Sequence, residues 1–374
     1  MRAIAVVPGR REVALVDHPE PELSGPYEVR LRMLEVGVCG TDREICAFEY
    51  GTPPSGFEHL VIGHESVAEV LEVGPKVTLF RPGDLVVPTV RRPCPHESCR
   101  PCWGGHQDFC STGDFRERGI RELHGFMTEQ VADHERWLVR VPPGLRDLAV
   151  LVEPLTIAEK ALNQLRYVQE RLIWTCAHAS VKGFGHCHRA VVLGAGPVGI
   201  LGAMALLVRG FAVTVYSRGA ADDPKSQLVK AIGARYVSSA AHGPAALAEM
   251  AGPIDLVYEA VGLSRVAFDL LPLLAPNGVL VLTGVPALKG PASVDIDTIM
   301  RGMVLRNQVL LGTVNADHYA FENAIADIEE FKARWPRQIA AVITGRYPME
   351  SYRELLLGKA PGGIKSVISI ASGR

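Results

Sequence analysis

The sequence predicts an α/β protein in which a doubly wound parallel sheet accompanies a second, β-rich domain. Three observations predict it. The chain has 374 residues, more than one compact core usually holds, which implies two domains. From about Arg189 onward, apolar strands alternate with glycine turns and apolar helices. Before that point, short apolar runs are broken by Gly, Pro and Asp, the mark of many short strands.

The early strands are Val29–Met33, Ser66–Val73 and Asp84–Pro88, and Leu148–Leu165 reads as a helix. The alternating region opens with a strand at Ala190–Leu193, a helix at Val198–Val208 and a strand at Ala212–Tyr216. A helix at Ser226–Ile232 and strands at Leu256–Ala260 and Val279–Thr283 continue it. After a strand at Val309–Leu311 come helices around Ala320–Ala333 and Ser351–Leu357, then a final strand at Lys365–Ile370. The sequence holds no internal repeat and no low-complexity linker.

Composition narrows the function. Hydrophobic residues make up 48% and charged residues 21%, values of a globular protein, not a disordered one. A formal net charge of −2 and the lack of a basic stripe argue against nucleic-acid and anionic-membrane partners. The first ten residues carry too short an apolar run for a signal peptide, so a cytoplasmic location is expected. Ala190 to Val208 is uncharged and long enough for a membrane span, but four glycines and Pro197 interrupt it. A buried strand, a tight turn and a buried helix account for it better.

That turn is Gly194-Ala195-Gly196-Pro197-Val198-Gly199, a G-x-G-x-x-G fingerprint after a strand and at the start of a helix. The first glycine permits the turn, the second lets a pyrophosphate approach the backbone, and the third lets the helix lie close on the strand. The helix N-terminus then offers free N–H groups to phosphate. Gly194, Gly196, Pro197, Val198 and Gly199 are therefore expected to bind a dinucleotide. The next strand ends Val215-Tyr216-Ser217-Arg218, with a hydroxyl and a guanidinium where a carboxylate would select an unphosphorylated ribose. Ser217 and Arg218 point to NADP, with NAD tolerated.

Eight cysteines are present, and four of them, Cys94, Cys99, Cys102 and Cys110, crowd into one short stretch. In a chain this long such a cluster suits metal better than disulfides. Cys46, Cys176 and Cys187 read as small buried hydrophobes. Upstream lie Gly37-Val38-Cys39-Gly40-Thr41-Asp42 and Gly63-His64-Glu65. A thiolate, an imidazole and a carboxylate with one position left open make a catalytic zinc site. Such a zinc acts as a Lewis acid on an alcohol. Thr41 is the relay candidate for the departing proton, and a hydride passes to the nicotinamide.

These motifs, in this order along the whole chain, resemble the zinc-dependent medium-chain dehydrogenases. The resemblance implies a GroES-like catalytic domain over 1–185, an NADP-binding Rossmann domain over 186–310, and a return to the catalytic domain over 311–374. It also implies a homodimer or homotetramer. Where alcohol-specific members place a third zinc ligand, a cysteine, this chain has Glu153, as the polyol and glucose dehydrogenases do. Glu65 and Glu153 compete for that place, either directly or through water. The cysteine cluster resembles the family's structural zinc site in its last three members, while Cys94 or His96 completes it.

Val90–Pro93, His124–Met127, Val152–Leu155, Gly104–Cys110 and Gly312–Ala316 resemble the glucose dehydrogenase branch in particular. That branch oxidises C1 of an aldose to a lactone. The resemblance implies Glu117, Asn315, Thr41 and Glu153 near the sugar, and Asn307 and Asn315 near the cofactor. Local readings compete with it: Asn315 as a helix cap, Glu117 as a surface charge. The rival activity is a polyol or secondary-alcohol dehydrogenase with the same zinc chemistry. A non-catalytic redox sensor is disfavoured, because Cys39 and His64 are both retained.

Overall fold

In a computed structural model the apolar runs fold into two compact units, Met1–Thr156 with Asn315–Glu329 and Ile343–Arg374, and Ile157–Val314 with Glu330–Val342. Residues 1–177, 183–286, 290–358 and 363–371 are described.

In the first unit, strand Glu28–Gly37 is the hub of a seven-stranded sheet. It pairs antiparallel with Glu65–Val73 along most of its length, with Gln130–His134 at its start and with Lys365–Ser369 at its end. Ile343–Pro348 lies parallel beside the last of these. The buried face carries Leu31, Met33, Val36, Ala68, Val70 and Ile368, which alternate along their strands as a one-sided sheet requires. The hub ends at Gly37, opposite both Glu65 and Val367, so three distant stretches of sequence meet at one point.

The second unit holds a six-stranded, wholly parallel sheet. Its strands run in the order Arg235–Ser238, Ala212–Ser217, Arg189–Leu193, Ile254–Glu259, Leu274–Leu282, Val309–Gly312. Numbered along the chain this is 3-2-1-4-5-6, the doubly wound nucleotide-binding order. Ala190 to Leu193 are all buried, the continuous apolar run of a strand covered on both faces. The 19-residue uncharged stretch is thus a strand and the helix Pro197–Val208. No helix among the described residues is long and apolar enough to cross a membrane.

The other elements fall where the sequence places them, with one difference. The helix expected over Ser351–Leu357 is a 3-10 turn at Met349–Ser351 followed by a π turn at Arg353–Leu357. Leu355 and Leu356 are buried there, so packing sets the local winding.

A buried charge cluster braces the first unit. Asp133 accepts from Arg92 Nη2 at 2.5 Å and from Arg118 Nε at 3.2 Å, and all three side chains are buried. Burial opposes charge on Asp133, but the two guanidiniums outweigh it and hold its carboxyl below the usual range. Asp133→Ala strands two buried cations, a loss of about 3–5 kcal/mol. The expected result is a clear fall in the thermal midpoint of the first unit's transition by calorimetry; an unchanged midpoint would show the cluster to be dispensable.

Candidate active site and metal centres

The site begins with a turn and a cap. Cys39 is the extended N-cap of helix Gly40–Cys46, and its backbone N–H donates to Asp42 Oδ2 at 2.8 Å. This arrangement fixes the thiol at the helix start and buries Asp42 completely. Gly63 precedes His64 with φ +89°, and a Cβ there would meet Met127 and Val36 at under 3 Å. Only glycine lets the chain turn there and deliver His64 and Glu65 into the unit.

The ligand atoms of Cys39, His64 and Glu65 all lie within 4.8 Å of one another. His64 and Glu65 are buried and Cys39 is half-buried. His64 Nδ1 faces Asp42 Oδ1 at 3.4 Å, a charge contact without hydrogen-bond geometry, and neither atom has a hydrogen-bond partner. With Nδ1 turned to this carboxylate, Nε2 is the ring atom that would be left for a metal. Burial opposes charge on His64, but Asp42 and Cys39 draw its pKa well above the usual value.

Two residues that sequence reasoning missed complete the surroundings. Asp42 is one. It stands inside the quoted motif, and its place three residues after the cap is a capping signal that was legible. The other is Lys365, whose Nζ donates to Glu65 Oε2 at 2.5 Å and to Val38 O at 3.1 Å. No local signal marks it, because strand pairing alone brings it there. Glu153, at the start of helix Val152–Gln169, lies outside the 4.8 Å group but feels its charges. Burial, together with Glu65 and Asp42, pushes its carboxyl up to about 7 against the pull of His64 and Lys365. Thr41 interacts with the Tyr50 hydroxyl, which donates to Glu44 Oε2 at 2.8 Å.

The donor set fits zinc. It supplies one thiolate, one imidazole and one or two carboxylates, and its carboxylate-rich charge is short of a cation. The cysteine cluster fits a second zinc. The sulfurs of Cys94, Cys99, Cys102 and Cys110 lie within 4.8 Å of one another, with Cys99 and Cys110 3.9 Å apart. That separation is near the edge of a tetrahedron of thiolates each about 2.3 Å from zinc. Ser111 bonds Cys99 and pulls its thiol down to about 5, whereas burial raises Cys102 to about 12. Of the two candidates for the fourth place, Cys94 joins the group, while His96 is exposed and bonded to Asp114 Oδ2 at 2.7 Å.

A third convergence, His18, His59 and His124, has a different character. Val61 N donates to His124 Nδ1 at 3.2 Å, so the neutral ring carries its proton on Nε2. Burial holds His18 at about 4 and His124 at about 3, and Phe57 packs edge-on against His59 and His124. These neutral rings are packing partners with no ligand lone pair left on His124.

Glu117 and Asn315 come together around Arg91. Glu117 is buried, not a surface charge, and accepts from Arg91 Nε at 3.0 Å. With its amide set by its neighbours, Asn315 donates to Glu117 Oε1 at 3.2 Å and accepts from Arg91. The following helix is capped by Asp317, through Ala320 N at 2.9 Å, so Asn315 is not its cap. Cys46 is buried as expected, but half-buried Cys176 and exposed Cys187 are not the buried hydrophobes the sequence suggested.

In the second unit the fingerprint glycines differ in what holds them. A Cβ at Gly199 would strike Gly194 O at 2.1 Å, and Gly194 itself has φ +101°. A Cβ at Gly196 would meet nothing within 4 Å of the protein, which leaves open the approach a pyrophosphate uses. Pro197 and Val198 begin the helix beneath it. Ser217 ends its strand, and exposed Arg218 borders a cavity of about 480 Å³ with Tyr236, Ser238 and His242. Asn307 is the left-handed C-cap of helix Ile296–Arg306, and its carbonyl accepts from Arg171 Nη2 at 2.7 Å.

A Rossmann sheet, a β-rich unit and two metal-competent clusters define the medium-chain dehydrogenase fold. Residues 25–143 match the model of the alcohol dehydrogenase GroES-like domain, and residues 146–370 match that of the glucose dehydrogenase C-terminus. The glucose 1-dehydrogenase of Methanocella arvoryzae is 38% identical over 361 residues, 96% of each chain. That of Metallosphaera sedula is 38% identical over 371 residues, 98% of each chain. The structure of Haloferax mediterranei glucose dehydrogenase in complex with NADP, Zn and gluconolactone superposes with a TM-score of 0.88 at 32% identity, covering both chains completely. The chain belongs to the glucose dehydrogenase family of medium-chain, zinc-binding alcohol dehydrogenases.

The raised Glu153 carboxyl generates a prediction for protein stripped of metal. The unfolded carboxyl releases its proton near pH 4.5 and the folded one near 7. Between these values the unfolded state binds fewer protons, so stability falls as pH rises and then levels off. The loss is on the order of 1–3 kcal/mol, allowing for the group's partial exposure. Denaturant titrations at pH 5 and pH 8 should differ less for Glu153→Gln than for wild type. Equal differences would mean the carboxyl is not held neutral.

Proposed function

We infer that the chain is a zinc-dependent oxidoreductase that oxidises C1 of an aldose such as glucose to the aldonolactone, with NADP as the preferred acceptor and NAD tolerated. The observation that carries this reading is a convergent set of one thiolate, one imidazole and one glutamate, with a second glutamate, Glu153, electrostatically coupled to it at the place where a simple alcohol site uses a second thiolate.

In this reading Cys39 and His64 hold the catalytic zinc, and Glu65 and Glu153 share the remaining protein position. Cys94, Cys99, Cys102 and Cys110 hold a second, structural zinc. Zinc and nicotinamide, when bound, supply the Lewis acidity and the hydride acceptor. Asp42 faces Nδ1 of His64 and orients the ring. Lys365 tethers one oxygen of Glu65 and leaves the other to turn toward the metal. Thr41 takes the hydroxyl proton, and its neighbours Tyr50 and Glu44 lead toward solvent. Glu153, near neutrality in its acid strength, and the Glu117–Asn315–Arg91 cluster offer partners for sugar hydroxyls, each of which needs one when buried.

The Gly194–Gly199 turn cradles the pyrophosphate, and Arg218 meets the 2′-phosphate. Asn307 and Asn315 remain candidates for cofactor contact. A homodimer or homotetramer is the proposed assembly. It is supported by the edge strand Val309–Gly312, which pairs on one side only among the described residues, and by exposed Ile296, Met300 and Val304, which repeat every four residues along one helix face.

NADP reduction should be seen with one or more aldoses and be abolished by a chelator, then restored by zinc. Turnover confined to polyols or secondary alcohols would overturn the aldose assignment. Arg218→Ala should raise KM for NADP about tenfold or more with little change for NAD, since a charge-assisted phosphate contact contributes about 1.5–3 kcal/mol. An equal effect on both cofactors would remove Arg218 from that role.

A further inference from the structure

Two cysteines stand apart from both metal clusters, in the second unit just before strand Arg189–Leu193. The chain is clamped on either side of them. The rings of Trp174 and His188 stack with centroids 4.0 Å apart and planes at 16°, and His188 Nε2 lies 2.7 Å from Trp174 O. Phe211 packs against both rings, and Gly185 N donates to Arg209 O at 2.9 Å, which ties the clamp to the body of the unit. Asp255 Oδ2 stands 3.6 Å from His188 Nδ1 on the other side.

Inside this clamp the sulfurs of Cys176 and Cys187 are 2.8 Å apart, closer than two separate thiols rest against each other. A bonded pair stands at about 2.05 Å, so the sulfurs need approach by less than about 1 Å. Cys176 Sγ also reaches His186 O at 3.5 Å, so the two stretches of chain lie side by side at this point. Cys187 is held at φ +72°, a conformation uncommon for a residue with a side chain. The turn bonds His186 N to Gly183 O at 3.2 Å and His188 N to Gly185 O at 3.0 Å keep it there. Cys187 is exposed and Cys176 half-buried, so a small reagent has access to the pair.

We propose that Cys176 and Cys187 are a redox modification site, a dithiol that closes to a reversible disulfide by exchange with a small disulfide of the glutathione type. One cysteine thiolate attacks the small disulfide, forming a mixed disulfide and releasing one small thiol. The second cysteine sulfur then attacks the protein-bound sulfur and displaces the other small thiol. Two protein thiols lose two electrons and two protons, and the small disulfide becomes two thiols.

The test uses the zinc-loaded, full-length protein in glutathione buffers of rising oxidised fraction, followed by acid quenching, alkylation and non-reducing peptide mapping. The expected product is a Cys176–Cys187 linked peptide pair, two hydrogens lighter than the sum of its parts, with two fewer alkylated thiols. Cys187→Ser should abolish the link and leave Cys176 carrying glutathione in the same buffer; Cys176→Ser reports the same from the other side. The wild-type map decides alone if either variant fails to fold. Full alkylation of both cysteines in oxidising buffer, or a link from either one to a cysteine of the metal clusters, overturns the proposal.

Discussion

Lys365 and Glu65 form an ion pair across 300 residues of chain, with both side chains almost wholly buried. Neither charge would be stable there alone, since an unpaired buried ion costs several kcal/mol. Burial opposes charge on Lys365, yet Glu65 and Cys39 raise its pKa above the ordinary value. The pair exists because Val367 lies opposite Gly37, and Gly37 lies opposite Glu65, across a shared hub strand. Even the absence of a side chain at Gly37 matters, for a Cβ there would fall 2.2 Å from Glu65 Oε2. The site is therefore complete only once the last strand has joined the sheet.

Charge balance around that pair explains the chemistry the site supports. Asp42 is committed to a backbone N–H and to His64, and Glu65 to Lys365. Glu153 is the remaining carboxylate, and its weakened acidity, set first by burial, says that the local supply of positive charge does not offset the cost of ionising it. A divalent cation added to this cluster would relieve the shortage and favour the ionised form of Glu153. Glu153 is thus the carboxylate whose ionisation the surroundings leave most open.

The second unit follows from steric arguments more than from charge. The central strands of the parallel sheet are covered on both faces, so their middle positions are mostly apolar and the helices must lie close. At Gly199 that closeness excludes any side chain, and at Gly202 the Tyr258 ring lies 2.4 Å from where a Cβ would be. Gly196 has no such constraint from the protein itself, which separates a glycine kept for packing from one that leaves room for a ligand.

The sequence by itself determined the fold class, the parallel sheet, the glycine turn and the short motifs around Cys39, His64 and the cysteine cluster. These were legible because each rests on local periodicity or on spacing within one turn. Asp42 was legible in principle, three residues beyond a cap. Tertiary structure decided what depends on distant strands meeting: Lys365 beside Glu65, Glu117 buried under Arg91, Cys94 gathered with the other thiols while His96 turns to Asp114. It also decided that Cys176 and Cys187 touch. No periodicity records which residues oppose each other across a sheet or a clamp. That is fixed by pairing register and by the need to neutralise each buried charge, and both are properties of the folded chain.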